Sequence, residues 1–349
     1  MKTPPSPPAP SKTLLRWQRA PLQNHLHALM PQWGGQALDI SSQDLASNAS
    51  FVNYVRHHRF TDPNTGKPVE VVEKSIRKIA FIGSQEARFH RAEGMLAGST
   101  QFRYPACLGV IETPWESLIF TEFVRGKPPR MQAIARQLAL GIAELEDLGQ
   151  AWLQAQPLGK APLLWSMDFF RPWFLLRPRF NFARCLPGLA QLGREDTQFA
   201  GLAERFEAFV PLMRKLASEA RRSPRCFSHM DYLRKNLFVN KGQLHLIDWS
   251  EVKVGRVGFD GGAYLGSLFR RKDMGVFLAA QSEFVEAYRE ALAERFDAGQ
   301  ALGNLRYVFL LTALFHCLRP ETVEEYRERE RMGMLREKYE YLLGVCLEG

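Results

Sequence analysis

The chain has 349 residues, with 46 Lys and Arg against 37 Asp and Glu, a formal net charge of +9. Hydrophobic residues make up 46% and charged residues 24%, which excludes wholesale disorder, collagen-like repeats and a disulfide scaffold. The excess charge is concentrated. Residues 1–38 carry Lys2, Lys12, Arg16 and Arg19 and no acid, and residues 169–194 carry Arg171, Arg177, Arg179, Arg184 and Arg194 and no acid. The rest of the chain is neutral, so two local basic segments need explaining.

The five cysteines include no CxxC pair, which fits reduced thiols and a cytoplasmic protein. The longest apolar stretch, Val308 to Phe315, is far too short to span a bilayer. No continuous apolar signal core opens the chain, which argues against secretion. Five prolines in residues 1–10 predict a disordered tail. Pro21 then opens a short helical pattern with Leu22, Leu26, Leu29 and Met30 on one face. This helix either docks on the domain or brings a basic segment to the inner-leaflet membrane surface.

From residue 39 to 124 the pattern is strand-rich. Phe51 to Val55 and Val69 to Val72 are β-type runs, with a strong turn signal at Asp62-Pro63-Asn64-Thr65-Gly66 between them. A helix is predicted over Gln85 to Leu96, then strands at Cys107 to Ile111 and Leu118 to Val124. Arg125-Gly126-Lys127-Pro128-Pro129 breaks the chain. Beyond it Ile134 to Leu153 is helical, and helices dominate from Val276 onward, with a strand pair at Leu237 to Asp248. The expected fold class is α+β. Residues 1–38 form a Pro-rich basic tail and short helix, 39–124 a small β-rich N-lobe, and 125–349 a larger, mainly helical C-lobe.

The chemistry is concentrated in His229-Met230-Asp231 and in the strand pair just after it. Leu237 to Val239 and Gln243 to Ile247 flank a turn at Asn240-Lys241-Gly242, so a hairpin brings Asn236 and Asp248 close together. Asp231 lies five residues before Asn236. Two carboxylates and an amide thus converge, an oxygen donor set suited to Mg²⁺ with phosphate. Phosphoryl transfer needs these parts, a base at the attacking hydroxyl and metal-binding Asn and Asp on the nucleotide.

These motifs resemble the aminoglycoside phosphotransferase and choline kinase family, the small-molecule branch of the protein-kinase-like fold. The match rests on His229-Met230-Asp231, Asn236, Ile247-Asp248-Trp249 and Asp260, strongest over residues 226–260. The resemblance implies a bilobal fold and transfer of the γ-phosphoryl group of ATP to a hydroxyl, with Mg²⁺. It implies catalytic roles for Asp231 and His229, metal binding by Asn236 and Asp248, and a bracing role for Asp260. In the small lobe it implies that Lys74 meets the phosphates, paired with Glu86 or alternatively Glu93. Glu122 and Val124 would meet the base at a hinge.

The sequence departs from that family at several points. There is no G-x-G-x-x-G; Ser47, Asn48 and Ser50 stand where a phosphate loop is expected. Met230 replaces a frequent Gly. Leu233 stands where many kinases carry a Lys or His, leaving Arg234 and Lys235 as neighbours able to supply that charge. A catalytically weak, nucleotide-binding scaffold that regulates a partner is the alternative function, and a protein kinase is a further one. Residues 169–194 mix Arg171, Arg177 and Arg179 with Trp173 and several Phe, and in relatives this insertion shapes the acceptor site. Such a patch repels a cationic aminoglycoside, so the favoured acceptor is an anionic sugar or cell-envelope glycan. No recognisable nucleic-acid module accompanies it, so no nucleic-acid partner is expected.

Overall fold

A computed structural model describes residues 21–34, 36–45, 51–78, 84–92, 96, 98–155, 176–177, 180–292 and 295–347. Helix α1 (Leu22–Leu29) starts directly after Pro21, whose missing N–H costs nothing at a helix start. Strands β1 (Ser41–Leu45), β2 (Val52–Thr61) and β3 (Pro68–Arg77) come next, then helix α2 (Gln85–Arg91) and strands β4 (Phe102–Arg103), β5 (Cys107–Glu112) and β6 (Glu116–Glu122). Five of these strands form an antiparallel sheet in the order β1-β2-β3-β6-β5. The β2–β3 turn closes as its composition predicts. Asp62 accepts from the Asn64 and Gly66 N–H groups at 2.8 Å, and Gly66 adopts φ 66°, which favours glycine.

The sheet has two different faces. On one, Leu26, Trp33, Phe60, Val71, Leu118 and Phe120 form a core, with Leu22, Leu29 and Met30 packed against it. The apolar side of α1 is therefore turned to the sheet, and residues 22–38 belong with the small lobe. The register places Val55, Val72, Lys74, Ile76 and Ile119 on the opposite face, where Ala87 of α2 packs on Ile76 and Ile119. Helix α2 is shorter than its periodicity predicts. Ala92 leaves helical geometry (φ −81°, ψ 92°), two residues before Gly94.

The larger lobe contains α3 (Ala135–Ala155), a small hairpin of β7 (Leu176–Arg177) and β8 (Phe180–Asn181), α4 (Phe182–Glu195), α5 (Leu202–Glu207) and α6 (Phe209–Ala220). Then come β9 (Arg225–Ser228), β10 (Leu237–Asn240), β11 (Gln243–Leu246) and β12 (Lys253–Arg256). It ends with α7 (Phe259–Arg271), α8 (Met274–Leu292), α9 (Ala298–Cys317), α10 (Pro320–Glu328) and α11 (Met332–Leu347). Helix α3 runs through the core with Ala135, Leu138, Ala139, Ile142 and Leu145 fully buried. It approaches β9 so closely that a Cβ on Gly149 would lie 2.5 Å from the Phe227 nitrogen.

Residues before the sequence break at 125 also belong to this lobe. β4 pairs in parallel with β11, and Phe102 lies in the large-lobe core. The Glu144 carboxylate of α3 accepts from Ser99 Oγ (2.8 Å) and from the Thr100 and Gln101 N–H groups (2.9 Å). One acid thus gathers the donors of a turn and pins residues 99–103 to the helical lobe. No single helix among the described residues is long and apolar enough to cross a membrane.

Candidate active site

The β10–β11 hairpin builds the first half of the site. Lys241 and Gly242 take φ values of 50° and 80°, the left-handed pair of a tight two-residue turn. The register sets Leu237 opposite Leu246, and the Ile247 N–H donates to the Asn236 carbonyl at 3.0 Å. Asn236 and Asp248 thereby arrive at the same end of the hairpin, as their spacing predicts. Asp248 itself adopts φ 64°, and its carboxylate meets the Lys74 ammonium at 2.7 Å.

Lys74 rises from β3 on the face opposite α1 and bridges two carboxylates. Glu86 lies at 2.6 Å and Asp248 at 2.7 Å. The small lobe and the hairpin are thus joined through one cation. Burial works against the Lys74 charge, but Glu86 and Asp248 together outweigh it and raise its pKa. Burial also opposes the Asp248 charge, yet Lys74 draws its carboxyl down to about 2. Glu86, fully enclosed, is raised by burial despite Lys74. Glu86 is therefore the partner of Lys74 in this structure; the alternative, Glu93, lies outside the described residues.

The loop between β9 and β10 presents Asp231. The Asn236 amide donates to the Asp231 backbone carbonyl (2.9 Å) and to its carboxylate (2.8 Å), fixing the side chain. Burial lifts the Asp231 carboxyl above its ordinary range, opposed by Asn236 and Lys235. Asp260, at the start of α7, braces the loop from below. It accepts from the His229 N–H, the Met230 N–H and the Tyr232 hydroxyl, each at 2.9 Å. Met230 takes φ 65°, a conformation unfavourable for a side chain and natural for glycine. The frequent glycine that Met230 replaces thus has a physical reason, and the Asp260 bond holds Met230 in its place.

His229 differs from its expected catalytic role. It is fully buried, and its ring nitrogens are spent on the Ile247 carbonyl (3.1 Å) and the Asp231 N–H (3.3 Å). Burial pushes its pKa down to about 4, so it is neutral, with Nε2 carrying the proton donated to Ile247. It ties the Asp231 loop to the Asp248 strand and is a positioning residue. Trp249 completes that tie. Its ring stacks on Phe89 of α2 at 4.0 Å and meets the His229 ring edge-on at 4.7 Å. In the sequence Trp249 stands out only as part of the Ile247-Asp248-Trp249 motif, and nothing there links it to Phe89.

The donor set suits Mg²⁺. The amide nitrogen of Asn236 is spent on Asp231, which leaves its oxygen, and Asp248 supplies an ionised carboxylate. Among the described residues no group of three or more His, Cys, Asp and Glu is arranged to hold a metal ion. Two protein oxygens fit a hard cation that draws its remaining ligands from phosphates and water.

The connection between lobes carries Glu122 and Val124. The Glu122 N–H is held by the Ala106 carbonyl at 2.8 Å, and Phe123 stacks on His57 at 3.9 Å. Beside them Glu70 binds Arg59 (2.9 Å) and Arg125 (2.5 Å). Of the other candidates, Ser47, Asn48, Ser50, Arg171, Trp173 and Arg179 lie outside the described residues. Arg177 lies on β7, paired with Phe180 of β8.

Residues 87–302 match the phosphotransferase enzyme family, known as APH. No curated protein matches the chain. Among solved structures, the choline kinase of Cryptosporidium parvum Iowa II is 12% identical, with 93% of this chain and 94% of that chain covered at a TM-score of 0.52. An amicoumacin kinase in complex with AMP-PNP and Ca²⁺ is also 12% identical, with 86% and 88% covered at 0.52. At such identities the likeness speaks for a shared kinase-like fold.

Proposed function

We propose, from the premise that the chain belongs to the phosphotransferase enzyme family, that Lys74, Asp231, Asn236 and Asp248 are the working residues of an ATP-dependent small-molecule kinase. One observation carries this reading. Lys74, from a strand of one lobe, meets Asp248 of the other at 2.7 Å, and the hairpin that ends in Asp248 begins at Asn236, which holds Asp231 at 2.8 and 2.9 Å.

Asp231 receives the proton of the acceptor hydroxyl as its oxygen bonds to the γ-phosphorus and the bond to ADP breaks. Asn236 keeps the Asp231 carboxylate aimed. Lys74 gives the phosphates a fixed positive charge, and Glu86 holds Lys74 in position. Mg²⁺ held by the Asn236 oxygen and Asp248 would offset phosphate charge. Glu122 and Val124 offer backbone groups to the base.

The acceptor in this reading is a small hydroxylated molecule of anionic character, such as a sugar phosphate or an envelope glycan fragment. The acid-free Arg run of residues 169–194 supports it. The setting is the cytoplasm, where ATP is supplied. A mass-detected transfer screen over amino alcohols, sugars and glycan fragments tests the activity. Asp231→Ala should abolish transfer and keep the thermal shift produced by Mg-ATP. Unchanged turnover in that variant would overturn the assignment.

A further inference from the structure

Directly beyond Asp231 the chain enters a second cleft, between the catalytic loop and the last turns of α7. Its lining is mixed in a way that indicates a ligand. The rings of Tyr232 and Tyr264 line it, but both hydroxyls are committed, to Asp260 and to the Met131 carbonyl, each at 2.9 Å. Both rings and Leu268 are buried and form the floor beneath the cleft. Arg234, Arg271 and Lys272 also line it, and Ser267 adds a neutral hydroxyl. The lining includes no acid.

Basic residues at a helix C-terminus are often explained by the helix itself, whose last carbonyls attract cations. That explanation is already used up here. The Leu268 carbonyl accepts from the Lys272 N–H at 3.0 Å. Those of Phe269 and Arg270 accept from the buried Lys338 ammonium at 2.7 and 3.2 Å. Lys338, from α11, therefore caps α7, and the Arg271 and Lys272 side chains are surplus to capping. Arg234 comes from a different element, the catalytic loop, and lines the same cleft. Among the described residues no salt bridge joins Arg234, Arg271 or Lys272 to a carboxylate.

We propose that this cleft is the acceptor subsite for an anionic group, a phosphate or carboxylate borne by the molecule whose hydroxyl meets Asp231. This rests on the kinase reading above and adds to it a place and the residues that would hold the anion. Arg234 follows Asp231 by three residues, so a molecule anchored there lies beside the base. The cations hold its anion through charge-assisted hydrogen bonds, and the rest of the molecule extends out of the small cleft toward Asp231. A cationic acceptor is rejected at the same place.

The test is calorimetric titration of the full chain saturated with Mg-AMP-PNP, which keeps anions out of the nucleotide site. The probes are inorganic phosphate, glycerate and glucose. Phosphate or glycerate should bind saturably at roughly millimolar concentration while glucose does not. Arg271→Gln and Arg234→Gln should each weaken the anion about tenfold, the loss of one charge-assisted hydrogen bond. Arg271→Lys should restore much of it, and both Arg271 variants should keep the affinity for Mg-AMP-PNP. Binding of phosphate alone, or of glycerate alone, identifies the anion. Nucleotide binding without anion binding at roughly 10 mM, or anion binding indifferent to the variants, overturns the subsite alone. Failure of Mg-AMP-PNP to bind overturns the kinase reading and the subsite together.

Discussion

Asp260→Asn separates what the carboxylate does for stability from what it does for the catalytic loop. Asp260 accepts from three donors, the His229 N–H and Tyr232 hydroxyl on one oxygen and the Met230 N–H on the other. An amide has only one acceptor oxygen. Its better orientation keeps His229 and Tyr232 and points its NH₂ at the Met230 N–H, which loses its partner at a cost of about 2–3 kcal/mol. Against that stands the burial of a charge. Burial raises the Asp260 carboxyl from 3.8 to about 6, so keeping it ionised at neutral pH costs the fold about 3 kcal/mol, and asparagine avoids this. The native state holds its proton more tightly than the unfolded chain. The wild type therefore loses stability as pH rises from 3.8 to about 6, and the variant lacks that slope.

The two terms nearly cancel, so urea unfolding at neutral pH should shift by no more than about 1 kcal/mol. Turnover should not be spared. Met230 is held in a left-handed conformation by the bond that is lost, and Asp231 is the next residue. Release of that peptide displaces the base, for a loss on the order of 100-fold in ADP formation. Turnover within about threefold of wild type would refute the argument that Asp260 positions the loop. A fall of several kcal/mol in stability would refute the cancellation.

Two further outcomes concern the framework. Gly149→Ala puts a Cβ 2.5 Å from the Phe227 backbone nitrogen, and should lower unfolding stability by about 1–3 kcal/mol in urea titrations. Tyr54→Phe removes a 2.6 Å bond to Glu73 while keeping the ring under Arg56. Burial opposes the Glu73 charge, but His58 and Tyr54 outweigh it and lower its pKa. The stability this contributes is present above pH 4.5 and is lost as pH falls through the lowered value, so the variant should show a shallower acid loss in urea midpoints.

The site was legible in the sequence where it is local. Asn236, Asp248 and the turn between them lie within one short hairpin, whose length fixes which residues meet. Lys74 was legible for a similar reason, since alternation sets it among Val72 and Ile76 on one face. What the sequence hid depends on distant segments. The polar strand β1, Ser-Ser-Gln-Asp-Leu, has no alternation and exists because β2 offers an edge to pair with. The break at residue 125 reads as a lobe boundary, yet Glu144 and β11 draw residues 99–103 into the helical lobe. The burial of His229 is equally a tertiary fact, because a His-x-Asp motif does not say where the ring nitrogens go. Lys338, among the charged residues of α11, is nearly inaccessible because three acceptors from α7 and α10 surround its ammonium.

The aromatic column of Phe89, Trp249 and His229 has a bearing on control. Many two-lobed enzymes are silenced by swinging the small-lobe helix outward, which parts its acid from the strand lysine. Here Phe89 sits on that helix three residues after Glu86, and its ring lies flat on Trp249, which follows Asp248. An outward swing would have to peel apart a buried stack worth about 1 kcal/mol beyond the area it covers, besides breaking the ion pair. The column therefore acts as a rivet through both lobes. It favours the position of that helix in which Glu86 meets Lys74.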